Sequence, residues 1–217
     1  MANGKFLDLH RHLPSAAFVS LMVLVVAAFA GIFIYIGVYN IGADAPHWKG
    51  VYMMLDQLRE RAIIHHSRDI RPPADLNSAK RISAGAGLYN EMCTGCHLGP
   101  GLEKSEMSQG LYPQAPELAG GTNHSAAEQF WIIKHGIKLS AMPAWGKTHN
   151  DELIWDMVAF IRQLPKMSPQ QYKATVASAP EDHDAMMKDM PGMAGPTGAP
   201  AKSHDASAAD ESKAPAH

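Results

Sequence analysis

From Ser15 to Tyr39 nearly every position is apolar, and no charged residue occurs between Arg11 and Asp44. Twenty-five residues at about 1.5 Å each reach about 37 Å, enough to cross a hydrocarbon layer about 30 Å thick with some tilt. The run therefore predicts a transmembrane helix over residues 15–40. Lys5 and Arg11 precede it, while Tyr35, Tyr39 and Trp48 lie toward its far end. Basic residues before the span predict a cytoplasmic N-terminus, residues 1–14, and export of all that follows residue 40. A cleaved signal peptide is the competing reading, because Ala43-Asp44-Ala45 places small residues where a peptidase prefers them. A signal's apolar stretch runs about 7–15 residues, so the length favours an uncleaved anchor.

Beyond the span the pattern changes to helical spacing. Val51, Met54, Leu55, Leu58 and Ala62 recur three and four apart, which predicts one amphipathic helix within a juxtamembrane segment, residues 41–77. Its stripe reads equally as a docking face or as a spacer resting on the next domain. Adjacent histidines on a helix point about 100° apart, so His65 and His66 read as surface residues and not as a joint metal site. Pro72-Pro73 ends the helix and stiffens the approach to the next segment.

Three further helices follow. Asn77 or Ser78 can cap one that runs toward Met92. Ser125-Ala126-Ala127-Glu128 is a capping box that opens a second, through Phe130 to Gly136. Leu153, Met157, Phe160, Ile161 and Leu164 share one face of a third, which Pro165 stops. With no alternating strand pattern between them, the chain reads as all-α. From Lys166 it turns rich in Ala, Pro and Ser, with too few large apolar groups to offset the entropy of ordering. Residues 166–217 are expected to be largely disordered, and those from 173 onward most of all.

Composition narrows the chemistry. The formal net charge of −2 gives no basic field for nucleic acid. The only cysteines are Cys93 and Cys96, in Cys93-Thr94-Gly95-Cys96-His97. C-x-x-C-H is the attachment sequence for c-type haem: two thiols add to the haem vinyl groups and the next imidazole becomes the proximal iron ligand. A redox dithiol would sit in a βαβ context, and a zinc site would need two more Cys or His at suitable spacing. Neither surrounds this pair. Haem attachment outside the cytoplasm also agrees with the topology drawn from the apolar span.

Thirteen methionines make a bare methionine uninformative. Met142 stands out because Met142-Pro143-Ala144-Trp145-Gly146 lies in a Gly/Pro-punctuated loop between two helical patterns. With this loop, the attachment motif and the terminal helices, residues 78–165 resemble a class I c-type cytochrome domain. That resemblance implies three to five helices around one haem c held through two thioethers. It implies Met142 as distal ligand opposite His97. It implies close crossing of the first and last helices near Gly85 and Tyr89. Pro116-Glu117-Leu118-Ala119-Gly120 is similar to the family's P-x-L-x-G turn, in which the proline carbonyl accepts a hydrogen bond from the proximal imidazole. The long insert Leu98–Ala115 keeps Pro100 and Pro113 open as alternatives. Trp145, Trp131 and Tyr112 are candidates to line the haem.

With both axial positions filled by protein, no vacancy is left for oxygen or a small-molecule substrate. The expectation is thus an electron carrier and not an enzyme, single-pass in a bacterial inner membrane with its haem domain in the periplasm. Its partners would be redox proteins, a donor complex and an acceptor such as a terminal oxidase. Lys104, Lys134, Lys138 and Lys147 are candidates to steer them. Two other readings stay open. One is a fixed haem subunit of a larger oxidoreductase. The other is a copper-linked protein whose tail, through His183, Met186, Met187, Met190 and Met193, offers thioether and imidazole ligands.

Overall fold

The computed structural model describes residues 14–180. The basic N-terminal residues and the His/Met tail with its copper reading lie outside them. Among the described residues there are eight α-helices, three short 3₁₀ turns and no strand, so the chain is all-α.

Helix α1 spans Ala16–Tyr35, and Ser15 caps it by accepting the Phe18 amide. None of its residues is buried, and it is the one helix among the described residues long and apolar enough to cross a membrane. A helix of this length, apolar on all sides and with no buried residue, is what a membrane anchor requires. Gly37 at φ +65° turns the chain out of it. Helix α2, Lys49–Ser67, follows.

The globular part is built on two crossing helices, α3 (Ala79–Met92) and α7 (Asp151–Ile161). Ser78 caps α3 by accepting the Arg81 amide, and Asn150 caps α7 by accepting the Leu153 amide. A Cβ on Gly85 would stand 1.9 Å from the Asp156 carbonyl oxygen, so only glycine lets the helices approach this closely. Around the crossing, Leu88, Tyr89, Ile154, Met157, Val158 and Phe160 are removed from solvent. Arg81 ties the same pair together from α3, reaching Asp156 at 2.8 Å, Glu152 at 2.7 Å and Asp75 at 3.0 Å. Helix α6, Ala126–His135, opens with the expected capping box: Ser125 accepts the Glu128 amide, and the Glu128 carboxylate accepts the Ser125 amide. It packs against α7, where Phe130 and Trp155 stack with centroids 4.2 Å apart.

The C-terminal boundary differs from the sequence expectation. Beyond Pro165 the chain stays ordered, forming α8, Pro169–Ala177, with a second capping box between Ser168 and Gln171. Tyr172 is 2% exposed; it donates to Asn90 Oδ1 at 3.1 Å and packs on Gly99. One buried aromatic on a well-capped helix holds a stretch whose average composition argues for disorder. Residues 169–177 are thus helical within a tail expected to be largely disordered, and residues 181–217 lie outside the described residues.

Candidate haem centre

Helix α3 delivers the cysteine pair. Cys93, which caps its C-terminus, is buried, and a four-residue turn, α4 (Thr94–His97), continues from it. In that turn the His97 amide donates to the Cys93 carbonyl at 2.8 Å. The chain then leaves through Leu98, whose φ of +57° is rare for a branched side chain. What holds it there is Tyr89, whose buried hydroxyl donates to the Leu98 carbonyl at 2.6 Å. The motif is therefore fixed from beneath by a residue of the helix that precedes it. Burial lifts the Tyr89 hydroxyl pKa far above its ordinary value, so this donor keeps its proton. Nothing in the attachment sequence announces Tyr89 in this role; its position four residues before Cys93 is the available signal.

Of the three prolines weighed as partners of the proximal imidazole, Pro116 has its carbonyl 2.8 Å from His97 Nδ1. A carbonyl oxygen only accepts, so Nδ1 carries the proton and the Nε2 lone pair is left available to a metal. Burial pulls the His97 pKa below its ordinary value, against the opposing pull of the Pro116 bond. Both the tautomer and the charge state suit a metal ligand. Pro113 lines the same cavity without this bond.

The cavity has a volume of about 1140 Å³ and is walled mainly by apolar groups. Cys93, Cys96, His97, Leu118, Met142 and Trp145 all face it. Small-molecule sites commonly measure about 300–1,000 Å³, so this one suits a large, flat, greasy group. Met142 comes from a loop pinned to the end of α6. Its carbonyl accepts the Ile137 amide at 3.2 Å and its amide donates to Ser140 Oγ at 3.2 Å. Gly136, at φ +66°, lets the loop fold back, since a Cβ there would lie 2.7 Å from the Met142 carbonyl. Trp145 opens the 3₁₀ turn Trp145–Lys147 next to it.

Two thiols, an imidazole with a free Nε2 and a thioether on one apolar cavity are a donor set that fits haem c. No group of three or more His, Cys, Asp or Glu able to hold a metal occurs among the described residues, so the zinc alternative for the cysteine pair lacks its partners there.

Some candidates fall elsewhere. Trp131 is on the cavity wall, but Tyr112 is not; its hydroxyl accepts the His47 amide at 2.9 Å. Of the four lysines, Lys134 is paired with Asp151 at 2.6 Å and Lys104 with Glu117 at 3.9 Å. The insert Leu98–Ala115 carries α5, Glu106–Gln109, which sets Met107 Sδ 3.4 Å from Cys96 Sγ. Helix α2 also reaches the cavity, which its periodicity alone could not reveal.

Residues 80–161 match the protein family described as cytochrome c oxidase, cbb3-type, subunit III. No curated protein and no solved structure matches the chain.

Proposed function

We propose that this chain, whose residues 80–161 form a c-type cytochrome domain, is a membrane-anchored carrier of single electrons working on the periplasmic face of a bacterial inner membrane. The observation that carries this reading is the convergence of Cys93, Cys96, His97 and Met142 on one apolar cavity. Bound there, haem c supplies a one-electron iron couple. Cys93 and Cys96 would hold it by thioethers, with His97 and Met142 as axial ligands. Pro116 holds the His97 ring, and the bonds to Ile137 and Ser140 hold the Met142 backbone, which supports ligands that would move little when the charge changes. Filling both axial positions favours electron transfer over chemistry on a bound substrate. Helix α1 supports the anchor, and a carrier so tethered would meet redox proteins at the same membrane.

The experiment is expression with a haem-maturation system, followed by membrane fractionation. A red, haem-bearing protein in the membrane fraction, with a mass raised by one haem, is the expected result. A colourless chain of unmodified mass ends this reading.

A second reading has its own support. The haem domain is latched to the juxtamembrane segment through His47–Tyr112 and through His66, which stacks on Trp131 with an interplanar angle of 9°. Such a domain would not swing freely, and the matched family is described as an oxidase subunit. As a fixed subunit of a larger oxidoreductase, the chain would co-purify with stoichiometric partners from mild detergent; as a carrier it would not.

A further inference from the structure

Helix α2 lies wholly outside the c-type domain of residues 80–161. Nevertheless Tyr52, Leu55, Asp56, Leu58, Arg59, Ala62 and His66 face the same cavity as Cys93, Cys96, His97 and Met142, the Asp56–Arg59 ion pair among them. Tyr52, Leu55, Arg59, Ala62 and His66 lie three or four residues apart, with Asp56 and Leu58 flanking them, so together they form one continuous face of the helix. The opposite face carries Met53 and Ile64, and neither lines the cavity, whereas Leu58, at the edge of the inner face, lines it while 64% exposed.

The helix is anchored to the haem domain near both of its ends. Ile63 and Ser67, at 2% and 3% exposure, are buried near its C-terminal end, where it packs against α6. His66 stacks on Trp131 at a centroid distance of 5.6 Å, and Glu60 Oε2 lies 4.0 Å from His124 Nε2. Before its N-terminus, the His47 amide donates to the Tyr112 hydroxyl oxygen at 2.9 Å. Contacts at both ends fix which way the middle of α2 faces.

We infer that α2 is a structural wall of the haem site: the membrane-proximal helix, through Leu55, Leu58 and Ala62, screens the cofactor from water and raises its reduction potential. This rests on the haem reading above. Oxidation leaves one more positive charge at the iron, and water stabilises that charge better than leucine side chains do. An apolar wall therefore favours the reduced form, because the shell around a metal site sets its local dielectric and its potential. The anchor and the haem are thus linked by one helix that both tethers the domain and tunes it.

The test uses the full chain with haem attached, in detergent or nanodiscs. Leu55→Ser and Leu58→Ser combined should shift the oxidised-to-reduced ratio at fixed potential about tenfold toward the oxidised form, which for one electron is about 59 mV lower. Leu55→Met with Leu58→Met should keep the wild-type value, as should Met53→Ser with Ile64→Ser on the outer face. A second measurement needs no variant. In NMR spectra of the oxidised protein, the methyls of Leu55, Leu58 and Ala62 should be shifted by the paramagnetic iron, and those of Met53 and Ile64 far less. Unshifted methyls on the inner face, or equal potentials for inner-face and outer-face serine variants, would overturn the wall. Failure of the haem reading is separate, because the wild-type chain would then carry no chromophore at all.

Discussion

Gly85 and Asp156 meet backbone to backbone where α3 crosses α7: a Cβ at position 85 would sit 1.9 Å from the Asp156 carbonyl oxygen and 2.9 Å from Phe160 Cβ. Neither backbone can yield as a side chain tip would. Gly85→Ala must therefore push the helices apart and loosen the packing around Tyr89 and Phe160, whose rings lie 5.5 Å apart. Overpacking a core commonly costs about 1–3 kcal/mol, and with rigid backbone on the other side the upper end, about 3 kcal/mol, is expected. Thermal unfolding of the haem-bearing protein checks this, at roughly 4–8 °C per kcal/mol for a domain of this size. A melting temperature within about 4 °C of wild type would mean that the crossing relaxes at little cost.

Arg81 and Asp156 form an ion pair of two nearly buried side chains, 12% and 13% exposed, while Asp75 and Glu152 remain open to water. Removing the guanidinium strands the Asp156 carboxylate, and breaking a buried pair from one side costs about 3–5 kcal/mol. Arg81→Met is expected near the lower figure, because water reaches the other two carboxylates. The pH dependence has a definite sign. Burial holds the Asp156 pKa above its ordinary value despite the lowering pull of Arg81, and without Arg81 it rises further. A carboxyl that binds its proton more tightly when folded gains stability as pH falls toward the unfolded value near 3.9. The deficit of Arg81→Met is thus widest at neutral pH and narrows toward pH 5. Melting both proteins at pH 7.5 and pH 5 decides it, and a deficit that widens on acidification would refute the stranded carboxylate.

Much of this architecture could be read from residues alone, and the reasons differ from element to element. Local signals were sufficient where a few neighbours fix the geometry: the Ser125–Glu128 box, the Ser78 cap and the attachment pentapeptide all act within one helical turn. The long apolar run needed only its length. What stayed hidden depends on distant partners. The α2 stripe has the right period, but no periodicity says that its face meets the cavity of another segment. His66 looks like an ordinary surface histidine until Trp131, far along the chain, supplies the ring beneath it. Helix α8 was lost for another reason, since averaging over the tail outweighed the local Ser168-Pro169-Gln170-Gln171 start signal and its single anchor, Tyr172.

Tyr172 is the measure of whether α8 belongs to the domain. Its ring lies 6.2 Å from that of Phe160, and a Cβ on Gly99 would stand 2.9 Å from it. Tyr172→Ala should cost about 3–5 kcal/mol, as for other large core aromatics. Tyr172→Phe removes only the hydroxyl bond to Asn90 and should cost about 1 kcal/mol. Equilibrium unfolding of the haem-bearing forms separates the two. A chain that tolerates Tyr172→Ala without loss would have its folded domain end before α8.

Met142 competes with two other methionines for the role of sulfur ligand. Met92 also lines the cavity, and Met107 Sδ lies beside Cys96. The loop geometry favours Met142. Its backbone is bonded on both sides, to Ile137 and to Ser140, so the sulfur is presented from a fixed support, whereas Met92 belongs to the last turn of the helix that carries the cysteines. Met142→Ala should keep the haem, because the two thioethers and His97 do not depend on that loop. It should abolish the far-red absorbance that marks thioether sulfur on ferric iron. It should also lower the potential, since a softer ligand favours the ferrous state, and open the iron to added imidazole. Met92→Ala and Met107→Ala should retain the band. If the band survives Met142→Ala and vanishes with either of the others, the distal ligand lies elsewhere and the α6–Met142 loop is only a cover.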